Sequence, residues 1–329
     1  MDKKDNKTKV KRLGGKVKIN ELLNNQANGF RFNELMLFLR SSIVFDTQKR
    51  SKSKENKYEN IPLVFDKKRF VAYVTRTENS IIHQRIFEAV MRLGRIYDRI
   101  DYLEELEDIV KSKILIIDNL YELKKLAGLN PQTSDRYVIK IIEDIAKIFI
   151  NIEKVGKDGK KTEYLQFNLL GNVISIIEDK KAYGVAIRLN VEFVKAVFKL
   201  TKVDIDTEVL RYIHTHAKSA YVEKIIKFFL TQQSKSYFKE DNFWSLIKQI
   251  ADIPQRFDKE KQKIIYKRLD NVSEQMKRQI LADIQKEASL LKEFGITFDR
   301  KQLLLAYDPK SSKYYKSNIV KIGYPEIDN

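Results

Sequence analysis

One order of apolar patterning occurs twice in this chain of 329 residues, and it restricts the fold to two similar units in tandem. Each stretch reads helix, helix, longer helix, then a hairpin carrying lysines or arginines. The first spans about Asn79 to Ile177, and the second about Lys218 to Tyr307. The length suits two domains of ordinary size. A hydrophobic content of 43% supplies apolar side chains for two cores.

In the first stretch Ile82, Ile86, Val90 and Leu93 recur at helical spacing and predict an amphipathic helix to about Ile100. The run Ile114-Leu115-Ile116-Ile117 predicts a short buried strand. Leu120 to Ala127 reads as a helix that Gly128 closes in the left-handed conformation. Ser134 is placed to cap a third helix, whose apolar face is Val138, Ile141, Ile142, Ile145, Ile148 and Phe149. Ile152–Val155 and Tyr164–Leu169, joined through Gly156 and Gly159, predict a hairpin. Val185 to Leu189 adds a strand, and Asn190 is placed to cap a helix through Phe198.

In the second stretch Tyr221, Ile225, Phe228 and Phe229 predict the opening helix, and Asp241 to Ala251 a second that ends before Pro254. Ser273 would cap a single long helix carrying Met276, Ile280, Ile284, Ala288 and Leu291, with Gly295 as its stop. Ile296 to Tyr307 supplies strands around Asp299-Arg300-Lys301. Ahead of both stretches, residues 1–18 hold eight basic and two acidic residues and read as a basic arm, either a solubility tail or a DNA-contacting segment. Asn33 to Val44 has a helix-like apolar pattern, and Gln48 to Asn60 reads as a linker. The expected division is 1–60 arm and linker, 61–205 first domain, 206–329 second domain.

Charge narrows the partner. Lys and Arg number 63 against 45 Asp and Glu, a formal net charge of +18, which points to a polyanion. No run of about 18 apolar residues is present, so no membrane span is expected. Cysteine is absent, removing thiolate metal sites and thiol catalysis. Gly156 to Thr162 lacks the spacing of a phosphate-binding P-loop, and no His-Glu-x-x-His occurs. No cofactor or metal is expected, and a cytoplasmic location is the default.

Helical units with basic hairpins and a cationic surplus predict an α+β, mainly helical fold of two tandem winged-helix domains with short β-hairpin wings. Such a domain lays its third helix in the major groove and its hairpin along the backbone or minor groove. The candidate DNA contacts in the first unit are Gln132, Thr133 and Ser134 at the turn, and Arg136, Lys140 and Lys147 on the helix. Lys157, Lys160 and Lys161 belong to its hairpin. Glu143 shares the outer helix face. In the second unit they are Ser273, Gln275, Lys277, Arg278 and Lys286, with Arg300 and Lys301 on the hairpin. Solvated faces of ordinary helices are the plain alternative for each of these side chains.

A different chemistry is suggested by His214-Thr215-His216 followed by Tyr221. Paired histidines holding a divalent metal beside a nucleophilic tyrosine is the logic of rolling-circle nickases. Against it, Thr215 is polar, and Tyr221 lies five residues on and on the apolar side of its helix.

Ser80-Ile81-Ile82-His83-Gln84-Arg85-Ile86-Phe87 resembles the opening-helix phrase of theta-type, iteron-binding plasmid replication initiators of the tandem winged-helix family. Lys218-Ser219-Ala220-Tyr221 through Phe229 is similar to the phrase that opens that family's second domain. Tyr266-Lys267-Arg268-Leu269 to Ile284 resembles its repeat-reading region. The resemblance spans roughly residues 60–310; the acidic run Asp101–Asp108 and the long N-terminal segment depart from it. It implies a non-enzymatic protein that binds direct repeats at an origin, opens adjacent AT-rich DNA and recruits the host initiator and helicase. It further implies a monomer in equilibrium with an autorepressing homodimer, with the first domain dimerising and the second making the main base contacts. A winged-helix transcriptional regulator or partition protein, and a helical protein–protein scaffold, are the remaining alternatives.

Overall fold

A computed structural model describes residues 34–35, 45, 58–65, 70–76, 80–98, 113–156, 158–178, 181–188, 193, 202–232, 234–250, 257–258, 263–264, 274–314 and 320–323. Among the described residues eight helices and five antiparallel sheets form a mixed α+β chain. Among the described residues strands outnumber helices two to one, so the fold is less helical than the apolar periodicity predicts.

The first unit begins with β1 (Glu34–Leu35), β2 (Tyr58–Phe65) and β3 (Phe70–Arg76), then α1 (Ile81–Leu93) and β4 (Arg95–Asp98). Helix α1 stops at Gly94, seven residues before Asp101, where the backbone turns extended and packs so closely on Leu115 that a Cβ would collide with it. Residues 95–98, expected to be helical, instead pair with β5 (Lys113–Ile117). Asn119 caps α2 (Leu120–Leu126) by accepting the N–H groups of Tyr121 and Glu122. Gly128, at φ +66°, closes α2 as its sequence position predicts. α3 (Asp135–Ala146) buries Val138, Ile141, Ile142 and Ile145. Ser134 stands at its N-cap position, but its hydroxyl makes no capping bond. The buried Lys124 reaches that end instead, donating to the Thr133 carbonyl and to Asp135.

After α3 come two hairpins: β6 (Phe149–Val155) with β7 (Lys161–Asn168), and β8 (Val173–Glu178) with β9 (Lys181–Arg188). Their sheets differ. β6–β7 extends β2 and β3 in the order β2-β3-β6-β7, whereas β8–β9 joins the strand before α2 in the order β4-β5-β9-β8.

The second unit follows β10 (Lys202–Ile205). It runs α4 (Thr207–His216), α5 (Ala220–Leu230), β11 (Ser236–Lys239) and α6 (Asp241–Ile250). The short hairpin β12 (Phe257–Asp258) and β13 (Lys263–Ile264) precedes α7 (Glu274–Lys286), α8 (Ala288–Glu293), β14 (Ile296–Asp299) and β15 (Leu304–Tyr307). The last three-stranded sheet has the order β11-β15-β14. The long helix predicted as far as Gly295 is broken at Glu287. There the backbone leaves helical geometry while the carboxylate accepts the N–H groups of Lys218 and Ser219 at the head of α5. Helix α4 has no counterpart in the sequence-based expectation.

Laid side by side, the units share one path: α1, β5, α2, α3, β8 and β9 against α5, β11, α6, α7, β14 and β15. In both sheets the strand from the first half lies beside the last strand, with the penultimate strand outside it. The hairpin predicted at Ile152–Leu169 exists, but it is inserted between α3 and β8–β9, the hairpin that corresponds to β14–β15 of the second unit. An apolar-rich run such as Val173-Ile174-Ser175-Ile176-Ile177 carries no signal of which sheet it joins.

Two apolar cores follow the two units. One contains Phe87, Leu123, Ile142, Ile152 and Val185; the other contains Leu210, Ile225, Phe229, Ile247, Ile284 and Leu305. Phe45 packs on Phe87 with ring centroids 5.6 Å apart, and Tyr58–Asn60 begin β2, so part of the segment expected as arm and linker enters the fold. Glu34 and Leu35, expected as helical, pair with β10, which also pairs with β16 (Val320–Gly323). Residues 1–18 and Asp101–Asp108 lie outside the described residues. So does the segment predicted as a helix from Asn190 to Phe198, except that Phe193 is helical and buried.

Candidate nucleic-acid interface

An α-helix that buries one face presents the residues between its apolar positions on the other. On α3 the buried face leaves Arg136, Lys140, Glu143 and Lys147 exposed along one outer row. Lys147 is C-terminal to the helix and ion-pairs with Asp144 at 2.8 Å. Gln132 and Ser134 are exposed in the preceding turn, where the Asn130 side chain accepts the Gln132 N–H; Thr133 is half-buried. The acidic Glu143 stays within the row, as the helical spacing predicts.

On α7, Ile280 and Ile284 face the core while Gln275, Arg278, Gln279, Gln285 and Lys286 are exposed. Lys277 departs from its expected role. Its ammonium pairs with Glu274 at 2.8 Å and lies 5.7 Å from the centroid of the Trp244 ring, which anchors it to α6. Arg300 and Lys301 are exposed in the turn between β14 and β15, where Asp299 accepts the Lys301 N–H. Gln279, also exposed, donates to Asp283. Gln285 falls on the same row as Gln275 and Arg278, a position that an apolar-first reading of the helix passed over.

Of the first hairpin, Lys160 is exposed and 3.8 Å from Asp158, and Lys161 opens β7. Lys157 and Ser273 lie outside the described residues. Because β6–β7 belongs to the sheet with β2 and β3, it is not the element that corresponds to the Arg300–Lys301 hairpin.

The residues suggested for nicking are not assembled into a site. His214 is buried and His216 exposed, on different sides of the last turn of α4. His216 stacks on Tyr212 with centroids 3.9 Å apart, and Tyr221 packs against the second core.

His214 instead belongs to a buried ionic cluster that joins the two units, which the sequence reading did not foresee. Its Nε2 lies 2.7 Å from Glu88 Oε2 of α1, and its Nδ1 2.8 Å from the Leu126 carbonyl at the end of α2. Lys227 of α5 donates to Glu88 and to Glu223, each at 2.6 Å. Arg85 of α1 reaches across to Glu223 and to the Ala217 carbonyl. Glu88, His214, Glu223 and Lys227 are each 4% exposed or less. Gly128 permits the close approach: a Cβ there would stand 2.5 Å from the His214 carbonyl oxygen. Glu88, His214 and Glu223 have donor types suited to a divalent metal, but the Lys227 ammonium occupies the space between the two carboxylates.

Burial is the largest single influence on the Glu88 and Glu223 carboxyls and raises both, but the surrounding cations, led by the Lys227 ammonium, together outweigh it. Arg85 adds to the effect at Glu223 and His214 at both, so Glu88 is held well below 4.5 and Glu223 at about 2. Burial lowers Lys227, yet Glu223 and Glu88 hold it above 10.5. Lowered carboxyls contribute stability that is complete above their unfolded values, about 4.3, and lost as pH falls through the folded ones. The raised lysine contributes below about 10.5, and its part is lost only as pH rises through a still higher value. Urea midpoints are therefore expected to fall from about pH 5 downwards, and Glu88→Gln to flatten that acid limb. An acid limb identical in both proteins would place the titration elsewhere.

No family model and no curated protein matches the chain. Among solved structures it is similar to two crystal structures of domains 2 and 3 of RctB. One, a selenomethionine derivative, is 10% identical, covering 80% of this chain and 88% of that chain with a TM-score of 0.46. The other is 8% identical, covering 82% and 94% with a TM-score of 0.47. Among the described residues no helix is long and apolar enough to cross a membrane.

Proposed function

We propose that the chain is a sequence-specific, double-stranded DNA-binding protein of tandem winged-helix architecture, acting as a replication initiator. The observation that carries this reading is the repeated path of helix, strand, helix, helix and hairpin, with an exposed polar and cationic row on the third helix of both units. A winged helix has this connectivity and binds through that helix and hairpin. The net charge of +18 supports a polyphosphate partner. The phrases around Gln84-Arg85 and Ser219–Phe229 support the initiator role. On that role the protein binds repeats at an origin, spends binding energy on deforming the duplex and passes it to the host initiator and helicase. Dimerisation through the first unit and autorepression belong to the same proposal.

In the second unit Arg278, flanked by Gln275 and Gln285, reads base edges. Arginine pairs with guanine and glutamine with adenine in the major groove. Lys140 and Arg136 contact phosphates. Fluorescence anisotropy with a duplex selected from a random pool tests the division. Arg278→Ala is expected to cost about 1–3 kcal/mol on the selected duplex and to relax its sequence at one position. Lys140→Ala is expected to weaken all duplexes alike. Equal losses on selected and unrelated duplexes for both variants would remove the assigned division, and no duplex binding at low salt would remove the function.

A further inference from the structure

The two units meet through equivalent faces of equivalent helices. Helices α1 and α5 hold equivalent places in the two units and are preceded by Ser80 and Ser219. Counting from each helix start, the fourth and eighth residues are Gln84 and Glu88 in α1, and Glu223 and Lys227 in α5. These four positions converge: Gln84 donates to Glu88, Lys227 donates to Glu223, and Lys227 and Glu88 join across the boundary. Equivalent positions carrying unlike groups make the contact self-complementary within one chain. Arg85 closes one side and His214 the other.

Buried ionic groups gain little net stability over apolar packing, but they accept few alternative arrangements, because each displaced partner leaves an unpaired charge in the interior. The cluster here has donors and acceptors on α1, α4 and α5 and on the end of α2. A rotation of one unit against the other breaks several charge-assisted bonds together.

We propose that Arg85, Glu88, His214, Glu223 and Lys227 are positioning residues that lock the two units into one rigid reader, which accepts DNA only at a fixed spacing between the stretches under α3 and α7. The spacing part rests on the duplex-binding reading above; the locking part does not. The variant R85M/E88L removes one cation and one anion, and with them the charged contacts that α1 makes across the boundary, and it leaves Glu223 and Lys227 paired within α5; the His214 bond to the Leu126 carbonyl still crosses.

The absence of cysteine allows a direct test. Spin labels at Lys125→Cys and Ser245→Cys, both on exposed positions outside the proposed DNA face, report the distance between units in the full chain. The native background is expected to give one narrow distance distribution and R85M/E88L a broad one. Distributions equally narrow, or equally broad, in both would overturn the lock. If R85M/E88L does not fold, R85Q/E88Q, which removes both charges that α1 contributes, is read by the same criteria.

Selection from a random duplex pool then tests the ruler. The native protein is expected to enrich two sequence elements at a single separation, and R85M/E88L the same elements at several separations. Variable separation with the native protein, or an unchanged single separation with an uncoupled variant, would overturn the ruler. Enrichment of no duplex at all, with the distance result intact, would instead sink the duplex-binding reading and the ruler with it while leaving the lock standing.

Discussion

Replacing Lys227 with methionine is expected to cost the fold about 3–5 kcal/mol, because it leaves Glu88 and Glu223 facing each other in the interior with one shared cation fewer. For folding units of about 150–250 residues, each kcal/mol corresponds to a fall of about 2–4 °C in the melting midpoint. Arg85 and His214 remain, but Arg85 reaches only Glu223, and His214 is engaged by Glu88 and the Leu126 carbonyl. The lost attraction is therefore not recovered by rearrangement. The contrast that identifies the cause is the fully apolar replacement R85M/E88L/E223L/K227M. It removes two cations and two anions together and is expected to be more stable than Lys227→Met alone, since no buried charge is left without its partner. Urea denaturation of the three proteins reads both values. A loss under about 1 kcal/mol for Lys227→Met would mean that water reaches the cluster and screens it.

The outcome for this cluster explains what the sequence disclosed and what it withheld. Ile82, Ile86 and Val90, or Ile141, Ile142 and Ile145, announce their helices because burial of one face imposes a 3.6-residue period. Gly128 and Gly295 announce helix ends because each adopts a positive φ that other residues resist. Likewise Arg136, Lys140 and Arg278 are exposed where the period puts them. Glu88, Glu223 and Lys227 follow no such rule. On a helical wheel they look like a solvated pair at i and i+4 and an unremarkable glutamate, and only the docking of α1 on α5 buries them. Lys277 shows the opposite limit, since it reads as a surface cation until Trp244 from α6 comes beneath it. The exchange of the β6–β7 and β8–β9 hairpins has the same origin. Both are β-branched runs closed by turns, and the choice of sheet is made by β3 and β5, which are distant in the chain. Local period was legible; partners brought together by tertiary packing were not.

The affinity for duplex DNA is expected to fall about 10³–10⁵-fold between 50 and 200 mM salt, if the exposed cations of both units meet phosphate. Arg136, Lys140 and Lys147 on the first unit and Arg278, Lys286, Arg300 and Lys301 on the second are exposed and available to do so. Neutralising about 6–10 phosphates releases that many condensed counterions, and added salt opposes the release with a logarithmic slope of about −0.9 per phosphate. The acidic Glu143 within the α3 row and the pairing of Lys147 with Asp144 reduce what the first unit contributes. Removing one phosphate contact lowers the slope by about one. Lys286→Ala and Lys140→Ala are thus expected to do so singly, and the double variant by about two. Lys277→Ala, whose cation is held over Trp244 and beside Glu274, is expected to leave the slope unchanged. Anisotropy titrations across the salt series give the native slope and those of the four variants. A native slope near zero would detach the +18 charge from function altogether. A native slope carried wholly by Lys286 would confine DNA contact to the second unit, and the fixed spacing between two reading faces would then have no duplex to measure.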